Sequence, residues 1–470
     1  MRRGPSVAWA ALRAAGFAGL LLALLESQPA FVQAHSITGR FPSPLPLGAY
    51  LAGAAVAVAL SFSLVLTREP ISLRAREDRT FVVPAPLRVL LRVIGLLGWA
   101  AVLLETVLVA QPGDADVGSL FLWVYGWVGL AVLSALVGPV WTWLDPFDSL
   151  ARGAAALAHH LGFDGPRPAT YPARLGRWPA VAGYAYFVWL ELAVTNGGGG
   201  RYLGLSLAGY TVVTLAGMLV YGRDTWRRQA ETFSVWFELL GRLAPLALEE
   251  PSSMCRVRVR GYARGLIGVV WTVPEVAFAA LAVAGVIFDG LSQTNIWFDA
   301  FGSASVASTT IQLAIFAAAI VTVALLASRV AGRAAIGAGL VPIAVGYILA
   351  HYLTFLLIDG QRLILVFDDP LSLGNHFLGL AGWEPSGAWL PPPLVWGAML
   401  ASVVGGHLVG AVAGHAAAAV EVRPDAPAGT PWTAAALGAL RRREVPLACL
   451  MVGLTVLTLW SLGQVVLRPA

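Results

Sequence analysis

The sequence predicts an all-α fold, a polytopic integral membrane bundle of about ten transmembrane helices after an N-terminal signal peptide. Three observations predict it. Hydrophobic side chains make up 58% of the 470 residues and charged ones only 12%, whereas about 25% of the residues of an average soluble domain are charged. The apolar residues gather in stretches of about 20, the length of a membrane-spanning helix. The 31 basic residues, all of them arginine, fall mostly in alternate loops.

Residues 1–34 have the parts of a secretory signal peptide. Two arginines open the chain, an apolar stretch follows at residues 14–25, and residues 32–34 are ones that a signal peptidase accepts before its cleavage point. Cleavage would leave His35 as the first mature residue, and an uncleaved anchor helix is the alternative. The rest of the chain, residues 35–470, is then a single membrane-embedded helical domain.

Ten later stretches are long and apolar enough to span a bilayer, which offers no water to satisfy a bare backbone. The predicted spans are residues 47–66, 89–109, 120–143, 178–195, 202–221, 266–288, 309–327, 335–358, 394–420 and 445–467.

The arginines orient these spans. If the mature N-terminus lies outside, every arginine but Arg40, Arg201, Arg362 and Arg468 falls on the cytoplasmic side, where basic residues accumulate in membrane proteins. We therefore expect a plasma-membrane protein with both mature termini extracytoplasmic. Because topology explains the arginines, they do not indicate nucleic-acid binding, and the lipid bilayer is the expected partner.

Two loops are longer than simple connections. Residues 222–264 place Trp226, Phe233 and Trp236 at helical spacing beside arginines, which predicts a cytoplasmic interfacial helix and loop on the inner leaflet. Residues 359–393 mix apolar residues with acids, glycines and prolines, and are predicted to form an extracytoplasmic cap loop over the outer mouth of the bundle.

One predicted span carries a packing signal. Gly406, Gly410 and Gly414 repeat every four residues, a spacing that lets the backbone of a neighbouring helix approach closely. We expect this helix to be central to the bundle.

Ionisable residues at membrane depth cost at least about 2.5 kcal/mol unless they are paired or hydrated, so each is a candidate site residue. Six glutamates and histidines lie in the predicted spans: Glu105, Glu191, Glu275, His351, His407 and His415. Glu105 and Glu191 fall in the outer third of their helices, and His351 lies about two turns before an outer helix end. With His407 near the middle of its helix, these residues form a predicted cluster open to the outside.

Three interpretations of this cluster stay open. Carboxylate and imidazole groups suit a divalent cation such as zinc, iron or copper. They also suit a proton or cation relay in a transporter or permease. Alternatively, each group only pairs with a neighbour to fix helix register, in a membrane scaffold without chemistry. A further hypothesis is a copper site, in which the amine and ring of His35 bind the ion with His376 on the same outer face.

Several segments resemble a known family. "AHSITGRFPSPLPLGAYLAGAAVAVALSFSLVL", "YPARLGRWPAVAGYAYFVWLEL", "FDGLSQTNIWF", "AHYLTFLLIDGQ" with "DDPLSLGNHFLG", and "GGHLVGAVAGH" resemble bacterial multi-pass membrane proteins known as fenitrothion hydrolase-like. The resemblance implies cleavage of an organophosphate triester and a place in the bacterial inner membrane. By position it points to a set of eight residues: His35, Glu191, Asp289, His351, Gln361, Asp369, His407 and His415.

The leading expectation is therefore a membrane-embedded, metal-dependent hydrolase whose site faces outward. His351, His407 and Glu191 would hold a zinc or copper ion and lower the pKa of a bound water towards about 7, while Asp369 in the cap would orient or deprotonate that water. The candidate catalytic residues are thus Asp369, Glu191 and Glu105, and His35 and His376 are further candidate metal ligands. The rival expectation is a proton- or cation-coupled transporter that uses the same residues.

Overall fold

The computed structural model describes residues 79–109, 117–163, 167–194, 200–249, 253–302, 305–369, 374–423 and 432–463. The predicted signal peptide, His35 and the first predicted span, residues 47–66, lie outside these residues. The described chain is mostly helical, so the all-α prediction is confirmed in this coarse form.

The helices of the first half surround an aromatic core. They are α1 (Ala85–Leu104, continued by a π-helix at Glu105–Val109), α2 (Val117–Phe121), α3 (Leu130–Leu136), α4 (Trp141–Leu144), α5 (Pro146–His160), α6 (Trp178–Leu192), α7 (Gly200–Tyr221), α8 (Arg223–Gln229) and α9 (Thr232–Gly241). A π-helix at Leu122–Gly129 joins α2 to α3.

The second half contains the longest helices. They are α10 (Val273–Ser292), α11 (Asn295–Phe301), α12 (Val306–Ala331), α13 (Arg333–Ile358), α14 (Leu363–Asp368), α15 (Pro392–Val422) and α16 (Ala434–Gly463). Every residue of α10 from Pro274 to Leu291 is buried, and most of α13 is too. These two helices form the centre of the bundle, with α15 packed on α13 and with α12 and α16 alongside.

Within the described ranges, eight helical segments are long and apolar enough to cross a membrane. They are α1, the segment from α2 to α3, α7, α10, α12, α13, α15 and α16, and they match eight of the ten predicted spans. The predicted span at 178–195 is present as α6, which has 15 residues. At about 1.5 Å per residue it is roughly 22 Å long, shorter than a hydrocarbon core of about 30 Å.

The prediction of an interfacial helix and loop at residues 222–264 was wrong about the form of this segment. The segment folds as α8, α9 and two strands, β2 (Leu246–Glu249) and β3 (Ser253–Val259), which pair antiparallel with each other. β1 (Thr80–Val82) pairs with the other edge of β3. The aromatic face of α9 is buried in the protein: Trp236 stacks on Trp127, with ring centroids 5.8 Å apart. The apolar residues do recur at helical spacing, but their side chains pack against other helices rather than against lipid.

Buried ion pairs close the end of the bundle at which α1, α6, α10 and α13 begin, called here the arginine-rich end. Glu275 was predicted to lie at membrane depth, but it is the third residue of α10 and forms a capping box with Thr272. Its Oε1 lies 3.1 Å from Arg177 Nη1 and 2.5 Å from Arg242 Nη2. The carboxylate therefore joins the starts of α6 and α10 to the end of α9.

A second buried cluster at the arginine-rich end ties α5 to α8. Asp145 caps α5 by accepting hydrogen bonds from the backbone N–H groups of Phe147 and Asp148. Arg227 Nε donates to Asp145 Oδ2 at 2.8 Å. Asp148 is also held by Arg152 at 2.7 Å and by Arg223 at 3.1 Å. These arginines hold carboxylates in place rather than presenting charge to a partner.

The glycine repeat of α15 lets the backbone of a neighbouring helix, α13, approach closely, as predicted, but α10 and α13 are more buried than α15, which is not the central helix. A Cβ atom added to Gly406 would lie 2.6 Å from Pro342 O and 3.1 Å from Gly346 Cα, and one added to Gly410 would lie 2.6 Å from Gly339 O. The two backbones therefore touch at these positions.

Gly406→Ala is expected to push α13 and α15 apart and to destabilise the protein by about 1–3 kcal/mol, as overpacking does. Gly405→Ala is the matched control, because nothing lies within 4 Å of its Cβ. Thermal unfolding of both purified variants in detergent measures the difference. Equal stability of the two variants would show that the helices separate there without cost.

Candidate functional site

Four buried side chains meet at the opposite, arginine-poor end of the bundle. His351 Nε2 lies 2.8 Å from Asp289 Oδ2, and Tyr352 Oη lies 3.0 Å from the same oxygen. Tyr352 Oη is also 3.2 Å from Glu191 Oε1. All four residues are buried. Together they form one polar network, called here the outer network.

Three helices bring the outer network together. Glu191 lies one residue before the end of α6, Asp289 three before the end of α10, and His351 seven before the end of α13. Gln293, just past α10, donates Nε2 to Asp289 Oδ1 at 2.7 Å. His351 and Tyr352 are consecutive on α13, and both side chains reach the same carboxylate oxygen, Asp289 Oδ2.

The hydrogen bonds of Tyr352 require a proton on a carboxyl group. Its hydroxyl has one hydrogen but approaches two carboxyl groups. If Tyr352 donates to Asp289, its oxygen can only accept from Glu191, and Glu191 can donate only when it is protonated. Two carboxylates in one buried site would also repel each other. The network therefore holds at least one exchangeable proton.

A small cavity adjoins the outer network. It is lined by Val286, Ile287, Gly290, Tyr347, His351, Thr458 and Ser461, and it has room for about one water molecule. A Cβ on Gly290 would lie 3.0 Å from Ser461 Oγ and 3.4 Å from His351 Nδ1. The glycine thus leaves space on the side of His351 that faces away from Asp289.

Tyr347 links this cavity to His407. The Tyr347 hydroxyl lies 3.4 Å from His407 Nε2, and His407 Nδ1 bonds the Val403 carbonyl at 2.8 Å. His407 is fully buried and lies fifteen residues into α15, about 22 Å along that helix. It is thus near the middle of α15, as predicted.

The structure brings part of the predicted cluster together. Glu191 and His351 come together through Asp289 and Tyr352, and His407 lies beyond the cavity. Glu105 is buried in the π-helix after α1, where its Oε2 accepts a hydrogen bond from the Gly118 backbone at 2.9 Å.

The cap residues bond within the cap. Asp369 Oδ2 accepts from the Gly374 backbone at 2.5 Å, and His376 Nδ1 lies 2.9 Å from Asp368 Oδ2. Asp368 Oδ1 also accepts from the Leu378 backbone at 2.6 Å. The roles predicted for Asp369 in catalysis and for His376 in copper binding stay predictions.

These cap contacts give a pH dependence. Burial alone would raise the pKa of Asp368, but the bonds from His376 and from backbone N–H groups outweigh it and lower that pKa. Their stabilisation of the loop is therefore present above the ordinary pKa of 3.8 and lost as the pH falls through the lower folded value. Amide-exchange protection at Leu378 should decline over that range. It should lack this transition in Asp368→Asn but keep it in Glu384→Gln, whose side chain is exposed.

Among the residues that the structure describes, no three histidine, cysteine, aspartate or glutamate side chains form a group that could hold a metal ion. His35 lies outside those residues. The zinc or copper site stays a prediction.

Sequence reasoning from spans missed two members of the outer network. Asp289 was assigned to an outer loop, because the predicted span ended at Phe288, and only the family resemblance pointed to it. Tyr352 carried no signal besides its place next to His351. Comparison with protein-family models, with curated proteins and with solved structures finds no match.

Proposed function

We propose that this chain is a proton-coupled transporter of the bacterial plasma membrane, with its arginine-poor end outside. In this proposal it has ten spans, in which residues 47–66 and α6 add to the eight long helical segments. The observation that carries the proposal is the outer network, in which one hydroxyl joins two buried carboxyl groups beside a histidine. Ionisable groups at membrane depth are typical of proton relays in pumps and transporters.

The contacts support a proton path with a balanced first step. Glu191 gives its proton to Tyr352 Oη while the hydrogen of Tyr352 passes to Asp289 Oδ2. Glu191 is then ionised and Asp289 neutral, so one proton has moved inward. Asp289 next gives this proton to Nε2 of a neutral His351 ring that carries its hydrogen on Nδ1, and the imidazolium so formed releases the Nδ1 hydrogen into the cavity. Tyr347 and His407 lie on the inner side of that cavity.

A proton-flux measurement tests the proposal. Purified protein in vesicles containing a pH dye should acidify the lumen when a potassium diffusion potential, negative inside, is applied. Tyr352→Phe removes the hydroxyl between the carboxyl groups, and we expect it to slow this flux by about 100-fold. Tyr186→Phe is the control, since Tyr186 on α6 is exposed and its hydroxyl bonds Ser206 at 3.0 Å, away from the outer network.

We expect this proton path to conduct without added substrate, so wild-type vesicles that acidify no faster than empty vesicles would overturn the proposal. If the chain is instead the organophosphate hydrolase that the resemblance implies, we expect a different experimental result. Such a hydrolase requires stoichiometric zinc or copper in the purified protein, lost in His351→Ala and in His407→Ala, together with ester cleavage.

A further inference from the structure

A second buried pair of ionisable residues lies between α15 and α16, towards the arginine-rich end. His415 Nδ1 contacts Glu444 Oε1, and both side chains are buried. His415 lies seven residues before the end of α15, and Glu444 ten residues into α16. The predicted span starts at residue 445, but α16 begins at Ala434 and carries Glu444 inside the bundle.

Each partner of this pair has one unused polar atom. His415 Nε2 and Glu444 Oε2 are buried and have no hydrogen-bond partner among the described residues. If the neutral His415 ring donates its Nδ1 hydrogen to Glu444, then Nε2 is an unprotonated acceptor. A buried polar atom without a partner costs free energy, so the pair is suited to bind one more proton rather than only to fix helix register.

A second carboxylate at this end of the bundle, that of Glu421, has partners of its own. Glu421, near the end of α15, lies 3.5 Å from Arg443 and accepts from the Ala334 backbone at 3.1 Å. Among the described residues, the other charged side chains at the neighbouring helix ends are arginines: Arg264, Arg329, Arg333, Arg423, Arg441 and Arg442. Glu444 is thus the buried carboxylate in an arginine-rich setting.

Two apolar side chains separate this pair from His407. Leu447 and Met451 of α16 are fully buried. They sit against the glycines where α13 and α15 touch: Met451 Cε is 2.6 Å from the position of a Cβ on Gly339, and Leu447 Cδ2 is 2.7 Å from one on Gly414. We call Leu447 and Met451 the apolar plug.

We propose that His415 and Glu444 form an inner proton-binding site, separated from the outer network by the apolar plug. This inference rests on the proposed function and extends it. A proton that passes the plug binds His415 Nε2 and forms an imidazolium paired with the Glu444 carboxylate. Its release towards the arginine-rich end restores the neutral ring, so one proton enters and one leaves. The plug keeps the two sites from exchanging protons through a continuous water chain.

Proton flux into vesicles tests this inner site. We expect Glu444→Gln to reduce the flux of the wild-type chain by about 100-fold. Glu421→Gln is the matched control and should keep the wild-type flux, because it retains an acceptor for the Ala334 backbone. Glu444→Gln with wild-type flux would overturn the inference.

A variant expected to increase the flux separates an effect on the inner site from misfolding, because a misfolded protein would only lose flux. Met451→Ala shortens the plug and should raise proton flux by about tenfold, since it opens a space between His407 and His415, whose ring nitrogens can hold water there. Adding Glu444→Gln to Met451→Ala should remove this increase. A leak that persists in the double variant would overturn the inner site.

The two proposals fail in different ways. If Asp289→Asn abolishes flux while Glu444→Gln does not change it, only the inner site is wrong. If neither the wild-type chain nor Met451→Ala carries protons, the proposed function itself is wrong.

Discussion

Asp289→Asn is expected to reduce proton flux by at least about 100-fold, the typical contribution of a positioned acid or base. Within the described part of the chain, Asp289 is the carboxylate that contacts both Tyr352 and His351, at 3.0 and 2.8 Å. Asparagine has nearly the same shape, so it preserves the packing between α10 and α13. Its amide cannot take up and release the proton that passes between these two partners.

The control for this prediction is Asp299→Asn on α11, an exposed aspartate on the next helix along the chain. It should leave the flux unchanged. Both variants should elute as folded, monodisperse protein, because neither changes side-chain volume appreciably. Wild-type flux in folded Asp289→Asn would exclude the outer network from proton transfer.

Arg227→Met is expected to destabilise the protein by about 3–5 kcal/mol, the typical cost of removing one partner of a buried ion pair. Arg227 Nε donates to Asp145 Oδ2 at 2.8 Å, and the Asp145 side chain is fully buried. Burial raises the pKa of Asp145, and Arg227 opposes that shift. Without the guanidinium, the carboxylate keeps only its two backbone donors, at 2.9 and 3.0 Å.

Denaturant unfolding in detergent measures this effect, and Arg228→Met is the control. Arg228 is the next residue on α8 and is exposed, so its loss should change stability by about 0.5 kcal/mol or less. The double variant Arg227→Met/Asp145→Asn should recover much of the loss, because no buried charge is then left unpaired. A double variant as unstable as Arg227→Met would show that Arg227 acts through packing instead.

Hydropathy predicted the long helices well, but it misplaced the charges near their ends. The apolar stretch of α10 was cut at Asp289 because a charge usually ends a span. Here Gln293, Tyr352 and His351 satisfy the carboxylate, so the helix continues to Ser292. Glu275 was placed in the membrane for the opposite reason. Its neighbours are apolar, and only the folded chain brings Arg177 and Arg242 to it.

The contents of the site depend on partners that sequence spacing does not give. Glu191 and His351 were selected as unusual residues at membrane depth, and their depth could be estimated from helix length. Their convergence could not, because it depends on the rotation of α6 and α13 about their own axes. A helix rotated by one residue, about 100°, would have turned Tyr352 away from Asp289.

The glycine contacts between α13 and α15 limit how this protein can change shape. Where two backbones touch, no side chains lie between them that could repack into a second arrangement. His351 and Tyr347 on α13 and His407 on α15 are thus fixed to a single rigid body. α16, which carries Leu447, Met451 and Glu444, packs on that body through side chains alone at these glycines. In the proposed transporter, alternating access is then expected to be a rocking of α16 against a stationary α13–α15 axis.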